Sequence, residues 1–233
     1  MKNAKKIVMG GVAALALVTA SVMGTMAYFT NKTEQVNNTF TVGNVSIKLD
    51  EAPVDINGKE TTGDRRTSNT YKLYPGSEYD KDPTITVTGS EDSYLFVKVA
   101  NGISGVEKAA SYVNAEGNKA TGKIADQMAA YGWHRLEVET DGNYDVYYYG
   151  TDSEMTPVEA NEKKPVFKNF AISNDVTGKT LSDLVKTEDS SAKTLITVKG
   201  YAIQSKNIAN SGADNIKSAW ELVRDAEEGQ SQQ

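Results

Sequence analysis

From residue 40 onward the sequence keeps one pattern: a short alternating or wholly apolar run, then a turn signal. Val45, Ile47 and Leu49 alternate with Ser46 and Lys48, and Ile85 and Val87 alternate with Thr84, Thr86 and Thr88. Period two sends neighbouring side chains to opposite faces of a strand, so both runs predict half-buried strands. Tyr94 to Ala100 is apolar and β-rich over its length, which predicts a central strand. The pattern predicts further strands at 164–172 and 194–204. In "WHRLEVETDGNYDVYYYG" the pair Asp141-Gly142 stands between two alternating runs, a hairpin with the type I′ turn that matches strand twist. Pro75-Gly76 is a second turn signal, and residues 50–70, polar with scattered Gly and Pro, predict a long surface loop.

Helical spacing is rarer. Ile124, Met128 and Tyr131 predict a short helix over 122–131, inside a stretch from 103 that is otherwise ambiguous. A helical turn is expected over 178–186, with Leu181, Leu184 and Val185 inward. Residues 213–228 predict a closing helix with Ile216, Ala219, Trp220 and Val223 inward and Lys217, Glu221 and Arg224 outward. Strands thus outnumber helices. The expected fold is mainly β: an antiparallel β-sandwich of jelly-roll type with helical insertions and a C-terminal helix. There is no internal repeat.

The first strand follows almost directly on a segment of another kind. Lys2, Lys5 and Lys6 make a basic start, Ile7 to Asn31 carries no charge, and Thr25-Met26-Ala27 offers small residues for a signal peptidase. Cleavage between Ala27 and Tyr28 is expected. The rival reading is an uncleaved anchor, since about twenty apolar residues span a bilayer; Gly10, Gly11 and Gly24 weaken that run. The chain then divides into a signal peptide at 1–27, an N-terminal segment with the first strand at 28–49, a β-sandwich domain at 50–228 and a disordered tail at 229–233. Losing the three signal lysines takes 25 basic residues to 22 against 31 acidic, a net charge of −9. A polyanion partner needs a basic surface, so nucleic acid and anionic lipid are disfavoured, and membrane contact is expected only before cleavage. The chain has no cysteine, but a domain of this size buries enough core without disulfides.

The residues of common catalytic sites are missing. A cysteine nucleophile is excluded, and His134 is the one histidine, where a zinc peptidase needs two or three, most often on HExxH. His134 reads as an ordinary strand-edge residue. There is no GxSxG elbow and no Walker pattern. Carboxylates cluster at Glu78/Asp80/Asp82, Glu91/Asp92 and Glu188/Asp189. They read first as solvated loop groups, with a loop calcium ion as the cofactor they admit and a glycosidase pair less favoured. Tyr147 and Tyr149 share one strand face and Tyr148 the other; sheet packing accounts for them, with a carbohydrate platform as the alternative. No catalytic residue or cofactor is assigned.

The junction "AYFTNKTEQVNNTFTVGNVSIKL" resembles the signal-to-mature boundary of the TasA/camelysin-like family, whose members are processed by a SipW-type signal peptidase. Ala27, Tyr28, Phe29, Thr30, Asn38, Phe40, Gly43, Val45, Ile47 and Leu49 carry the resemblance. "LYPGSEYDKDPTITV", "PVFKNFAI" and "GYAIQ" resemble later blocks of the family. The resemblance implies export, a jelly roll, and a place in the cell envelope or a biofilm matrix, and a cysteine-free exported chain rich in Lys and Asn fits a Gram-positive bacterium. Camelysin-like members are described as metal-dependent proteases; this sequence lacks a zinc-ligand set, so that activity is the alternative and a structural role the expectation. An N-terminal strand freed by cleavage can add to a neighbour's sheet, and repeated head to tail such a contact makes an open homopolymer. Phe29, Val36, Phe40 and Val42 are the apolar side chains such a donor would offer. Val45, Ile47 and Leu49 are expected to pair within their own domain. A monomeric carbohydrate- or surface-binding module is the third reading.

Overall fold

The computed structural model describes residues 45–138, 144–186 and 195–230. All belong to the compact unit Val42–Gln233; a second unit, Met1–Thr41, lies outside the described residues. In chain order the elements are β1 (Ile47–Asp50), β2 (Glu78–Asp80), β3 (Thr84–Val87), β4 (Ser93–Asn101), β5 (Glu107–Lys108), β6 (Ala110–Val113), β7 (Lys119–Gly122), α1 (Ile124–Ala130), β8 (Trp133–Leu136), β9 (Asp145–Thr151), β10 (Glu154–Met155), β11 (Lys163–Pro165), β12 (Asn169–Ile172), α2 (Gly178–Val185), β13 (Ile196–Gln204) and α3 (Ala213–Gln230). The fold is mainly β, and the strand pairs are antiparallel.

The run Tyr94–Ala100 is central, as its composition predicts. β4 pairs with β13 along its whole length, from Ile196↔Asn101 to Gln204↔Ser93, and on its other side with β9 through Phe96↔Tyr148. β8 and β10 both pair with β9 and complete a five-stranded sheet. The strand is apolar throughout because both its faces are covered. Leu95, Val97 and Val99 enter the main core with Ile85, Val87, Trp133 and Tyr147. Tyr94 and Phe96 face a second core, where Ile216, Ala219, Trp220 and Val223 of α3 cover the sheet. The spacing read in α3 is the spacing buried. The helix runs on to Gln230, two residues into the segment expected to be disordered; 231–233 lie outside the described residues.

Two smaller sheets close the main core. One has the order β1-β3-β11 and the other β2-β12-β5. Ile47, Lys48, Leu49 and Asp50 pair with Val87, Thr86, Ile85 and Thr84, so the first strand belongs to its own domain. The layers approach closely at Gly200 of β13: a Cβ there would stand 3.1 Å from Ile85 Cδ1 and 3.3 Å from Ile47 Cδ1. Pro75-Gly76 forms its turn with Gly76 at φ 78°, left-handed backbone that glycine adopts without a Cβ clash.

The run 164–172, read as one strand, is two. Lys163–Pro165 pairs with β3, while Asn169–Ile172 pairs with β2 and β5 in another sheet. Val166 and Phe167, both fully buried, carry the chain across the core between them. The ambiguous stretch 103–131 holds β5, the β6–β7 ribbon and α1. Buried Glu107 accepts the Ile124 N–H at 2.7 Å, a carboxylate placed at the start of α1. Gln127, buried in α1, accepts the Lys168 N–H at 3.0 Å and donates to the Asn169 carbonyl at 2.9 Å, which ties α1 to β12. Leu181 of α2 is buried, while Leu184 and Val185 are half-buried. The hairpin β8–β9 forms in the register Trp133↔Tyr149 to Leu136↔Val146. Its turn, Asp141-Gly142, lies outside the described residues. Among the described residues no helix is long and apolar enough to cross a membrane.

Candidate functional site

A cavity of about 670 Å³ opens beside the end of β1, walled by residues 67–73 and the start of β13. Leu49, Leu73, Ile103, Phe170, Leu195 and Val198 make its apolar wall, and Asp50, Glu51, Asn69 and Lys81 its polar end. An apolar pocket with a few convergent polar groups is the usual form of a binding site. Leu49 ends the alternation of β1, and the chain then turns two carboxylates, Asp50 and Glu51, into the interior, where they are 6% and 3% exposed.

Buried carboxylates need partners, and the segment read as a surface loop supplies Arg65 and Asn69, with Lys48 of β1 and Lys81 just after β2 completing the set. Arg65 donates from Nε to Asp50 Oδ1 at 2.5 Å and from Nη1 to Asp82 Oδ2 at 2.8 Å. Its Nη2 donates to the Asp50 and Asp82 backbone carbonyls at 3.0 and 2.9 Å. Glu51 faces Lys81 Nζ at 2.5 Å and accepts from Asn69 Nδ2 at 3.0 Å. Paired backbone bonds between Glu51 and Arg66 fasten the segment to the end of β1. Residues 50–70 are therefore exposed only in part: Glu51, Ala52, Pro53 and Gly58 are buried.

Burial alone would raise the Asp50 carboxyl, but hydrogen bonds from Lys48 and Arg65, with their charges, hold it below its ordinary value. A depressed folded value stabilises the fold fully above the unfolded value, near about 4, and that contribution is lost as pH falls through the lower folded value. Asp50→Asn should cost about 1–3 kcal/mol at neutral pH, allowing for the partial exposure of Arg65. It should also flatten the loss of stability below about pH 4. Denaturant titrations of both proteins at pH 7 and pH 3 measure the two effects.

The other residues singled out in the sequence fall elsewhere. His134 lies in β8 with Nδ1 at 2.8 Å from Asp152 Oδ1 and its ring 5.7 Å from that of Tyr148. His134→Ala should leave assembly and any bound metal unchanged, as measured by light scattering and metal analysis. A loss of zinc or of proteolysis in that variant would restore the protease reading. Tyr147 and Tyr149 face the main core and Tyr148 the second, so all three pack within the sheet. Glu78, Asp80 and Asp82 serve separate tie points: Glu78 accepts from Ser111 N, Asp80 from Glu60 N and Asp82 from Ala52 N. Glu91 and Asp92 stand in the bend before β4. Among the described residues no group of three or more His, Cys, Asp or Glu is placed to hold a metal ion.

Ala27, Tyr28, Phe29, Val36, Phe40 and Val42, together with Glu188 and Asp189, lie outside the described residues. The groups that sequence reading missed are Glu51, Arg65, Asn69 and Lys81. Their one local signal is the pair of acids at the end of a strand, "KLDEAP", where a half-buried run gives way to charge without a turn residue between. Comparison of the chain with protein-family models, with curated protein sequences and with solved structures found no match in any of the three.

Proposed function

We propose that this chain is a secreted structural protein of the extracellular matrix or cell surface, which polymerises head to tail into fibres once a SipW-type peptidase removes its signal peptide. The single observation that carries the reading is the cavity beside β1, a largely apolar groove, in a chain whose sequence places Phe29, Val36, Phe40 and Val42 just after the expected cleavage site. Val36, Phe40 and Val42 share parity, so a strand over 36–42 presents them on one face, with Thr39 and Thr41 on the other. Received in a neighbour's groove against Leu49, Leu73 and Leu195, they would leave water while main-chain hydrogen bonds fix the register. Donor and groove are different surfaces of one chain, so each subunit that gives a strand also takes one, and the contact builds a filament wherever its rotation does not close a ring. The two smaller sheets facing the five-stranded sheet fit the jelly-roll form of the sandwich.

The test is electron microscopy of the chain beginning at Tyr28, beside the uncleaved chain in detergent. Filaments from the first and none from the second are expected. Dispersed particles from the Tyr28 chain at every concentration tried would remove the reading, and casein cleavage by those particles would put the envelope protease in its place.

A further inference from the structure

Glu51 holds an amine and a carboxamide on one carboxylate. Its Oε2 lies 2.5 Å from Lys81 Nζ, and its Oε1 accepts from Asn69 Nδ2 at 3.0 Å. The same Nδ2 donates to the Ala52 carbonyl at 2.8 Å, while Asn69 Oδ1 accepts the Val54 N–H at 3.2 Å. That N–H points at the atom that would gain negative charge if Asn69 Cγ were attacked. The carboxylate and the amine are shielded from water, while Asn69 is half-buried on the wall of the cavity. Glu51 is 3% exposed, the Lys81 side chain 12%, Ala52 and Pro53 are buried, and the Tyr71 ring stands 5.8 Å from the Lys81 nitrogen. The carboxamide is turned so that its nitrogen meets two acceptors and its oxygen a donor, which fixes it beside the carboxylate that also holds the amine.

We infer that Lys81 and Asn69 join in an intramolecular isopeptide bond, with Glu51 as the proton carrier. Glu51 takes a proton from the Lys81 ammonium, and the freed lone pair attacks Asn69 Cγ. The tetrahedral oxyanion is held by the Val54 N–H. Glu51 passes its proton to Nδ2 and takes one from the attacking nitrogen. The bond from Cγ to Nδ2 breaks, the carbonyl re-forms, and ammonia leaves, taking the proton from Glu51 to depart as ammonium. One C–N bond forms and one breaks, with no change of oxidation state, so the reaction needs no enzyme, oxidant or cofactor. Its product ties the segment after β1 to the residue after β2, across the polar end of the cavity. In a chain without cysteine it supplies a covalent staple that no reductant opens.

Intact-mass spectrometry of the whole folded chain, referred to its observed N-terminus, tests the proposal. The wild type should weigh about 17 Da less than its sequence, the mass of one ammonia. Lys81→Arg and Asn69→Ala should match their sequences, and Asn69→Asp should lose about 18 Da, as water leaves instead. Trypsin should fail to cut after Lys81 and should release a branched peptide joining Lys81 to Asn69. Glu51→Gln should slow or stop the reaction; should that variant not fold, the wild-type mass and peptide map decide alone. A wild type at full sequence mass and cut after Lys81 overturns the proposal. So does a mass deficit that persists in Lys81→Arg, because it would arise at another residue. Filament formation is not a readout here, so this result stands apart from the assembly reading.

Discussion

Removing Tyr28–Val42 from the mature chain should abolish polymerisation and leave a folded, soluble monomer. The expectation follows from where the β domain gets its own strands. β1 begins at Ile47 and pairs with β3 from Ile47↔Val87 to Asp50↔Thr84, and the main core is filled from β2 to β13 and the first two helices. A deletion that ends at Val42 leaves every one of those contacts in place. What it removes is Phe29, Val36, Phe40 and Val42, each worth about 1.5–3 kcal/mol when fully buried. A strand over 36–42 holds three of them, about 4.5–9 kcal/mol, while ordering its seven residues costs about 7–14 kcal/mol, so side-chain burial alone does not hold it. Main-chain hydrogen bonding in the groove then decides the balance, and losing the strand removes the whole of it. The effect on assembly is therefore all or none. Circular dichroism should be unchanged, while light scattering and microscopy should report monomers. A Tyr28–Leu49 peptide in excess should shorten wild-type filaments, because it fills a groove and offers none. Filaments of normal length from the truncated chain would sink strand donation, and an unfolded truncated chain would assign the segment to its own sheet.

The parts of this fold that show in the sequence are those where one element meets its burial by itself. Tyr94–Ala100 reads as central because both of its faces are apolar, and both are covered. Ile216, Ala219, Trp220 and Val223 read as a helix face because one sheet takes all four. The run 164–172 misleads for the opposite reason. Pattern alone cannot register that the chain changes sheets at Val166 and Phe167, since a buried crossing is as apolar as a buried strand. β2, β5 and β10 are too short for any period to develop. The polar end of the cavity was hidden because its logic is not periodic. Asp50 meets Arg65 across 15 residues, Glu51 meets Lys81 across 30, and each charge taken singly reads as solvated. Only the fold, which sets β1 beside β3 and returns the loop over both, turns those residues into one buried cluster.

Trp220→Ala should strongly destabilise the described fold. The indole is 2% exposed, 5.6 Å from the Phe96 ring and edge-on to Tyr201 at 5.3 Å. It anchors α3 at the centre of the sheet face that carries Tyr94, Phe96 and Tyr148. Truncating a buried tryptophan costs about 3–5 kcal/mol, against a total stability of about 5–15 kcal/mol for an ordinary domain. Most of a helix's stability in a protein comes from the packing of its amphipathic face, so the loss also loosens Ile216, Ala219 and Val223 and bares a face on which Phe96 is now 0% exposed. The melting temperature should fall by about 6–20 °C, given roughly 2–4 °C per kcal/mol at this size. Binding of a hydrophobic dye should rise at temperatures where the wild type binds none. Leu222→Ala, on the same helix but 57% exposed, is the control and should stay within about 0.5 kcal/mol of wild type. A Trp220→Ala protein no less stable than that control would mean that α3 does not seal the outer face of the sheet, and the second core would lose its role in the fold.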